Sequence, residues 1–219
     1  VIIATANPCN MTAGASATDE TWLGACDGTV SAFAINSACI VQDSLTSNTS
    51  AGGTNNGSNG VHFDIINTSS VPVTITGFGQ GNAYGTAAYG GLKDMNVYYM
   101  PAPYDQTTNT TTGSWVQIAN GVSSGNIPST VVGYGPQFPV TNVTIPAGAT
   151  YGFYVGAVTG TVTYMTATAF PVHTAYMGNG TISVTSGHGG TFGSGSFSPR
   201  APFLRVHYTD PTANPPNFL

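Results

Sequence analysis

The run Val61-His62-Phe63-Asp64-Ile65-Ile66-Asn67-Thr68-Ser69-Ser70-Val71-Pro72-Val73-Thr74-Ile75-Thr76-Gly77-Phe78 decides the fold. In its first five residues Val61, Phe63 and Ile65 fall on one side of an extended chain, with His62 and Asp64 on the other. Val71, Val73 and Ile75 then alternate against Pro72, Thr74 and Thr76. A period of two is that of a strand with one face turned to a core. The polar link Asn67–Ser70 has the composition of a tight turn, so the two runs read as neighbouring antiparallel strands.

The same signal recurs on both sides of this run. β-Branched and aromatic residues alternate with small polar ones over Thr29–Ile35, Ala38–Leu45, Met95–Met100, Ser114–Ala119, Val140–Ile145, Thr150–Val158, Thr161–Thr166, Thr181–Thr185 and Phe203–Tyr208. Pro146-Ala147-Gly148 reads as a turn, because proline presets one dihedral and glycine permits a positive one. Helical periodicity is nowhere sustained. Short strands without helices for parallel crossovers predict an all-β fold, an antiparallel β-sandwich of which the jelly roll is one form. Three stretches rich in Gly, Ser, Thr and Asn, namely Thr46–Gly60, Gly79–Gly91 and Gly187–Ser198, read as surface loops. The expected organisation is an extended N-terminal arm over residues 1–12, a sandwich over 13–209 and an extended proline-rich tail over 210–219.

Charge is scarce. Three Lys and Arg (Lys93, Arg200, Arg205) stand against eight Asp and Glu, so 5% of the chain is charged and the net charge is −5. Soluble domains average about 25% charged residues. Three basic side chains form no patch able to neutralise phosphates, which excludes a nucleic-acid partner. No apolar run has the length of a membrane span, and the opening Val1–Ala6 is too short for a signal-peptide core, so the chain reads as already processed and not inserted in a membrane. A surface solvated by hydroxyls and amides suits the cell exterior. Its copies repel one another weakly and lose few ionic hydration shells on packing together.

The cysteines Cys9, Cys26 and Cys39 match no zinc or redox spacing. The simplest disulfide joins Cys26 to Cys39, closing a loop worth roughly 3 kcal/mol. Cys9 is left over, either as a free or differently paired thiol or as a bond to a neighbouring subunit. It follows an uncharged, β-prone opening, Val1-Ile2-Ile3-Ala4-Thr5-Ala6, which Asn7-Pro8 separates from the rest. Such a ribbon is either the first strand of its own sandwich or a strand donated to the next copy. Donation is a head-to-tail contact that does not close on itself, and it builds a fibre.

No motif for catalysis appears. Eight scattered acids give no pair that sequence places face to face, no serine sits in a nucleophile elbow, and four dispersed histidines offer no selectable base. His62 and Asp64 share a strand face, where a solvent-facing hydrogen-bonded pair outweighs the start of a metal site. Asp43, Asp94 and Asp105 are the places where a structural calcium ion would sit, although no motif requires a metal or a cofactor. Seven Asn-x-Ser/Thr sequons, at Asn10, Asn48, Asn56, Asn67, Asn109, Asn142 and Asn179, are candidate glycan acceptors. Tyr84 and Tyr89 on a Gly-rich stretch, with Trp115 and Trp22, are candidate ligand contacts if their rings are exposed.

Val71–Phe78, Val97-Tyr98-Tyr99, Gly113-Ser114-Trp115, the block Ile145-Pro146-Ala147-Gly148-Ala149-Thr150-Tyr151-Gly152-Phe153-Tyr154-Val155 and Phe197-Ser198-Pro199-Arg200 together resemble a β-sandwich module of large secreted and cell-surface bacterial proteins. The resemblance spans residues 60–208 and implies no catalytic residues. Composition and arm are also similar in style to those of extracellular filament subunits that polymerise by strand donation. The expected function is therefore a secreted structural protein whose partners are copies of itself. The alternative is a carbohydrate-binding or adhesive module whose partners are surface glycans.

Overall fold

The computed structural model describes residues 41–47, 55–104 and 114–210. They form an all-β, antiparallel sandwich. The strands are β1 (Val41–Thr46), β2 (Asn55–Ser58), β3 (Gly60–Asn67), β4 (Val73–Asn82), β5 (Asp94–Met100), β6 (Val116–Ser123), β7 (Gly133–Tyr134) and β8 (Phe138–Ile145). They continue as β9 (Thr150–Ala157), β10 (Val162–Thr166), β11 (Ala175–Gly178), β12 (Ile182–Thr185), β13 (Gly187–Thr191), β14 (Ser194–Pro202) and β15 (Leu204–Asp210). One sheet runs β1-β15-β4, with β8 and β7 both on the far edge of β4. The other runs β2-β10-β14-β13-β3-β9-β5-β6, with the β11–β12 hairpin also attached to β3. No helix of the described residues is long and apolar enough to cross a membrane.

The two runs that open the sequence argument are strands, but they are not neighbours. β3 pairs with β9, β12 and β13 in the larger sheet, whereas β4 pairs with β15, β8 and β7 in the smaller one. The link between them carries the chain from one sheet to the other. Asn67 is the reason. Its side-chain amide is buried and donates to the carbonyls of Val71 (2.8 Å), Ile145 (3.0 Å) and Pro146 (3.1 Å), while its Oδ1 accepts from the main chain and hydroxyl of Ser69. One amide thereby clamps this crossing to the adjacent one. That second crossing, from β8 to β9, is the expected Pro146–Gly148 turn, with Gly148 at φ 70° and Ala149 N–H bonded to Pro146 O at 3.1 Å.

Between the sheets Phe78 meets Phe63 edge-on at 6.4 Å and Phe153 at 5.9 Å, with all three rings fully buried. Burial of such a side chain contributes about 1.5–3 kcal/mol, and edge-on geometry adds to that. Neutral polar groups close the remaining seams. Gln80 Nε2 donates to the carbonyls of Gly81, Thr163 and Phe203, and Asn82 Nδ2 to those of Thr86 and Pro128.

The stretch Gly187–Ser198, expected as a loop, lies largely within β13 and β14, and β2 lies within the expected loop Thr46–Gly60. The glycines are there for close approach. A Cβ at Gly189 would strike the Tyr164 ring. The arm, the three cysteines, the tail beyond Asp210 and the expected strand Thr29–Ile35 lie outside the described residues.

Candidate functional site

Strand register builds the site. His188 pairs with His62, His62 with Tyr154, and Tyr154 with Tyr98, so four strands place one row of rings across the larger sheet. Because Val61, Phe63 and Ile65 fill the core between the sheets, this row stands on the outer face. Trp115, Tyr104 and Phe192 cover it. Phe192 stacks on Tyr98 at 3.8 Å, and the His62 ring lies 4.6 Å from Tyr154, 5.8 Å from Trp115 and 5.9 Å from Tyr104. Space for the Tyr154 ring comes from Gly60 and Gly156, and for Tyr104 from Gly152, since a Cβ at any of them would collide with these side chains.

His62 and Asp64 therefore share a face as expected, but that face is not open to solvent. Both residues are buried. Asp64 Oδ1 accepts the main-chain N–H of Tyr104 at 3.0 Å, and its Oδ2 accepts Nδ1–H of His173 at 2.7 Å. Tyr104 hydroxyl in turn meets His188 Nδ1 at 2.8 Å. His173 is the one described non-glycine residue with positive φ, 66°. Holding an imidazole there costs about 1–3 kcal/mol of strain. Three contacts hold it: His173 N–H to Ser186 O, Thr174 N–H to Pro171 O, and the Ser186 hydroxyl to Pro171 O. The network thus straps segment 171–174 over the sheet through Ser186, with His173 as its half-exposed end.

Burial sets the acid–base character of the site. It pushes His62 down to about 4, and neither ring nitrogen of His62 finds a hydrogen-bond partner. Burial first and neighbouring His173 second bring His188 to about 4 as well. Both are neutral imidazoles at pH 7. Burial raises the Asp64 carboxyl, against the pull of His173 and Tyr104, and drives the Tyr104 phenol far above its usual range. A phenol so held orients its neighbours and does not lose its proton. Ser186, the hydroxyl of this wall, is already committed to Pro171.

Acid is expected to loosen this face. A histidine with a folded pKa below its unfolded value of 6.5 contributes no penalty above 6.5, and stability falls as the pH drops toward the folded value. His62 alone should lower stability by about 2 kcal/mol between pH 6.5 and pH 5. His188 adds in the same direction, whereas Asp64, favoured in its protonated form, opposes both at the acid end. Urea midpoints at the two pH values check this. The His62→Phe variant should lose much of the pH dependence while remaining within about 1 kcal/mol of wild type at pH 7.

The residues singled out from sequence scatter over the fold. Tyr84 and Tyr89 stack at 4.6 Å on the edge of the larger sheet, with Tyr84 38% exposed. Trp115 is not an exposed platform: its indole is buried edge-on to Phe192 at 5.7 Å. Asn67 is closed to a glycan in the folded chain because its amide is the buried clamp between the sheets. Asn179 donates to the Tyr208 hydroxyl and Asn56 accepts from Gly57 N–H, while Asn142 stands exposed on β8. Asn10, Asn48, Asn109, Trp22 and Asp105 lie outside the described residues. Asp43 accepts from the Tyr208 hydroxyl, and among the described residues no three His, Cys, Asp or Glu side chains converge as metal ligands. No spacing along the chain marks Tyr98, Tyr104, Tyr154, Phe192, His173 and His188 as one site, because register across strands brings them together. Comparison of the chain with protein-family models and with curated proteins gives no match.

Proposed function

We propose that the chain is a secreted structural subunit that joins to copies of itself through the arm Val1–Ala6, building an extracellular filament or surface layer. The supporting observation is the free edge of β1. Among the described residues β1 pairs with β15 on one side and with no strand on the other. Its six residues match the six of Val1–Ala6. The main-chain N–H of Ser44 is taken by the Asp43 carboxylate at 2.6 Å and not by a strand, which marks the open side. A strand added there gains ladder bonds, while a net charge of only −5 sets little repulsion between copies.

Deleting Val1–Ala6 should leave folded monomer and abolish polymers in negative-stain images. Ser44→Pro should do the same from the acceptor side, because it removes an outward N–H and leaves the β15 pairing in place. Polymers that persist in both variants would overturn strand donation. A second reading, an adhesive module for carbohydrate, is favoured by the partly exposed Tyr84 ring stacked on Tyr89.

A further inference from the structure

We propose that the corner formed by Arg200, Tyr164 and Phe197 binds the carboxylate of an acidic sugar. This assignment extends the carbohydrate reading and is independent of self-assembly. Arg200 lies on β14 beside β10, with its Cζ 5.8 Å from the centroid of the Tyr164 ring and 5.8 Å from that of Phe197. Tyr164 is the buried floor, and Phe197 is 48% exposed. The guanidinium lies against both rings, and Nη1 donates to Pro199 O at 2.9 Å, which restricts its rotation. The buried Nε–H has no acceptor. Among the described residues the one carboxylate within ion-pair distance of a basic group is Asp64, and its partner is His173, so Arg200 has no anion of its own.

A guanidinium lodged against two rings and anchored through Nη1, with no carboxylate partner among the described residues, is placed to take a planar anion through two parallel hydrogen bonds. Its flanks select what else the ligand carries. Phe197 offers an exposed flat face, and the stacked Tyr84 and Tyr89 lie within electrostatic reach of Tyr164. A uronic acid matches this surface, with a carboxylate for the fork and a face of C–H bonds for the rings. Arg205 is the internal contrast. Its Nε already donates to Thr46 Oγ1, and its guanidinium lies 5.4 Å from the Tyr134 ring. The net negative charge of the chain opposes any anion, so the site should bind at roughly millimolar strength.

The test is calorimetric titration of the full chain with a galacturonate oligomer and with the neutral galactose oligomer of the same length. The acidic oligomer should bind at least tenfold more tightly. Arg200→Gln should abolish that preference, Arg200→Lys should retain part of it, and Arg205→Gln should leave it unchanged. Equal binding of the two oligomers by wild type, or a preference that survives Arg200→Gln, overturns this site and leaves carbohydrate binding standing through Tyr84 and Tyr89. Binding of neither oligomer overturns both. The wild-type comparison decides the matter even if a substituted chain does not fold.

Discussion

Gly187→Ala should be the most damaging single methyl in this protein, costing more than about 4 kcal/mol or preventing soluble expression. A Cβ at residue 187 would lie inside the envelope of the His62 main-chain oxygen and 2.5 Å from the Tyr104 hydroxyl. A main-chain carbonyl in a ladder has no rotamer by which to step aside. Relief requires β13 to part from β3, which breaks the His188–His62 pairing and tears Tyr104 from His188. Gly148→Ala is the control. Its φ of 70° strains any other residue, but its surroundings are open, so it should cost about 1 kcal/mol. Urea midpoints of the two variants check the contrast, and a Gly187→Ala midpoint close to wild type would refute the tight seating of β13.

Asn67→Ala should cost about 4 kcal/mol, read as a fall of roughly 10 °C in melting temperature for a domain of this size. The loss is not one contact. The carbonyls of Val71, Ile145 and Pro146 lose the one amide that ties them together, and although Ser69 Oγ still donates to Val71 O and Ala149 N–H to Pro146 O, the link between the two crossings is gone. Asn67→Asp should be worse than alanine, since it removes the donors and turns a carboxylate toward the same oxygens. A thermal melt ranking Asp above Ala in stability would show that the amide does not bridge the two crossings.

Alternation along Val61–Ile65 and Val71–Ile75 is a local property, and it places the side chains of β3 and β4 correctly. Which strand lies beside which is not local. The residues Asn67–Ser70 suit a hairpin as well as a change of sheet, and what decides between them is a bond from Asn67 to Ile145 and Pro146, 78 and 79 positions away. Gly187–Ser198 reads as loop because glycine carries no hydrophobic signal, although Gly187 and Gly189 are present to admit Tyr104 and Tyr164. The site follows the same division. That His62 and Asp64 share a face is legible in two residues, whereas their burial depends on Tyr104, His173 and Phe192 arriving from three other segments. A buried Asn and a surface sequon are also the same letters, which is why Asn67 reads as a glycan acceptor.

The amide seams of Asn67, Gln80 and Asn82 carry a consequence for the places such a protein can occupy. Dissolved electrolyte weakens attraction between ions within a Debye length of about 8 Å at physiological strength and 3 Å at 1 M, but it has no purchase on hydrogen bonds between neutral groups sealed from water. Cohesion built on carboxamides therefore answers far less to ionic strength than cohesion built on ion pairs.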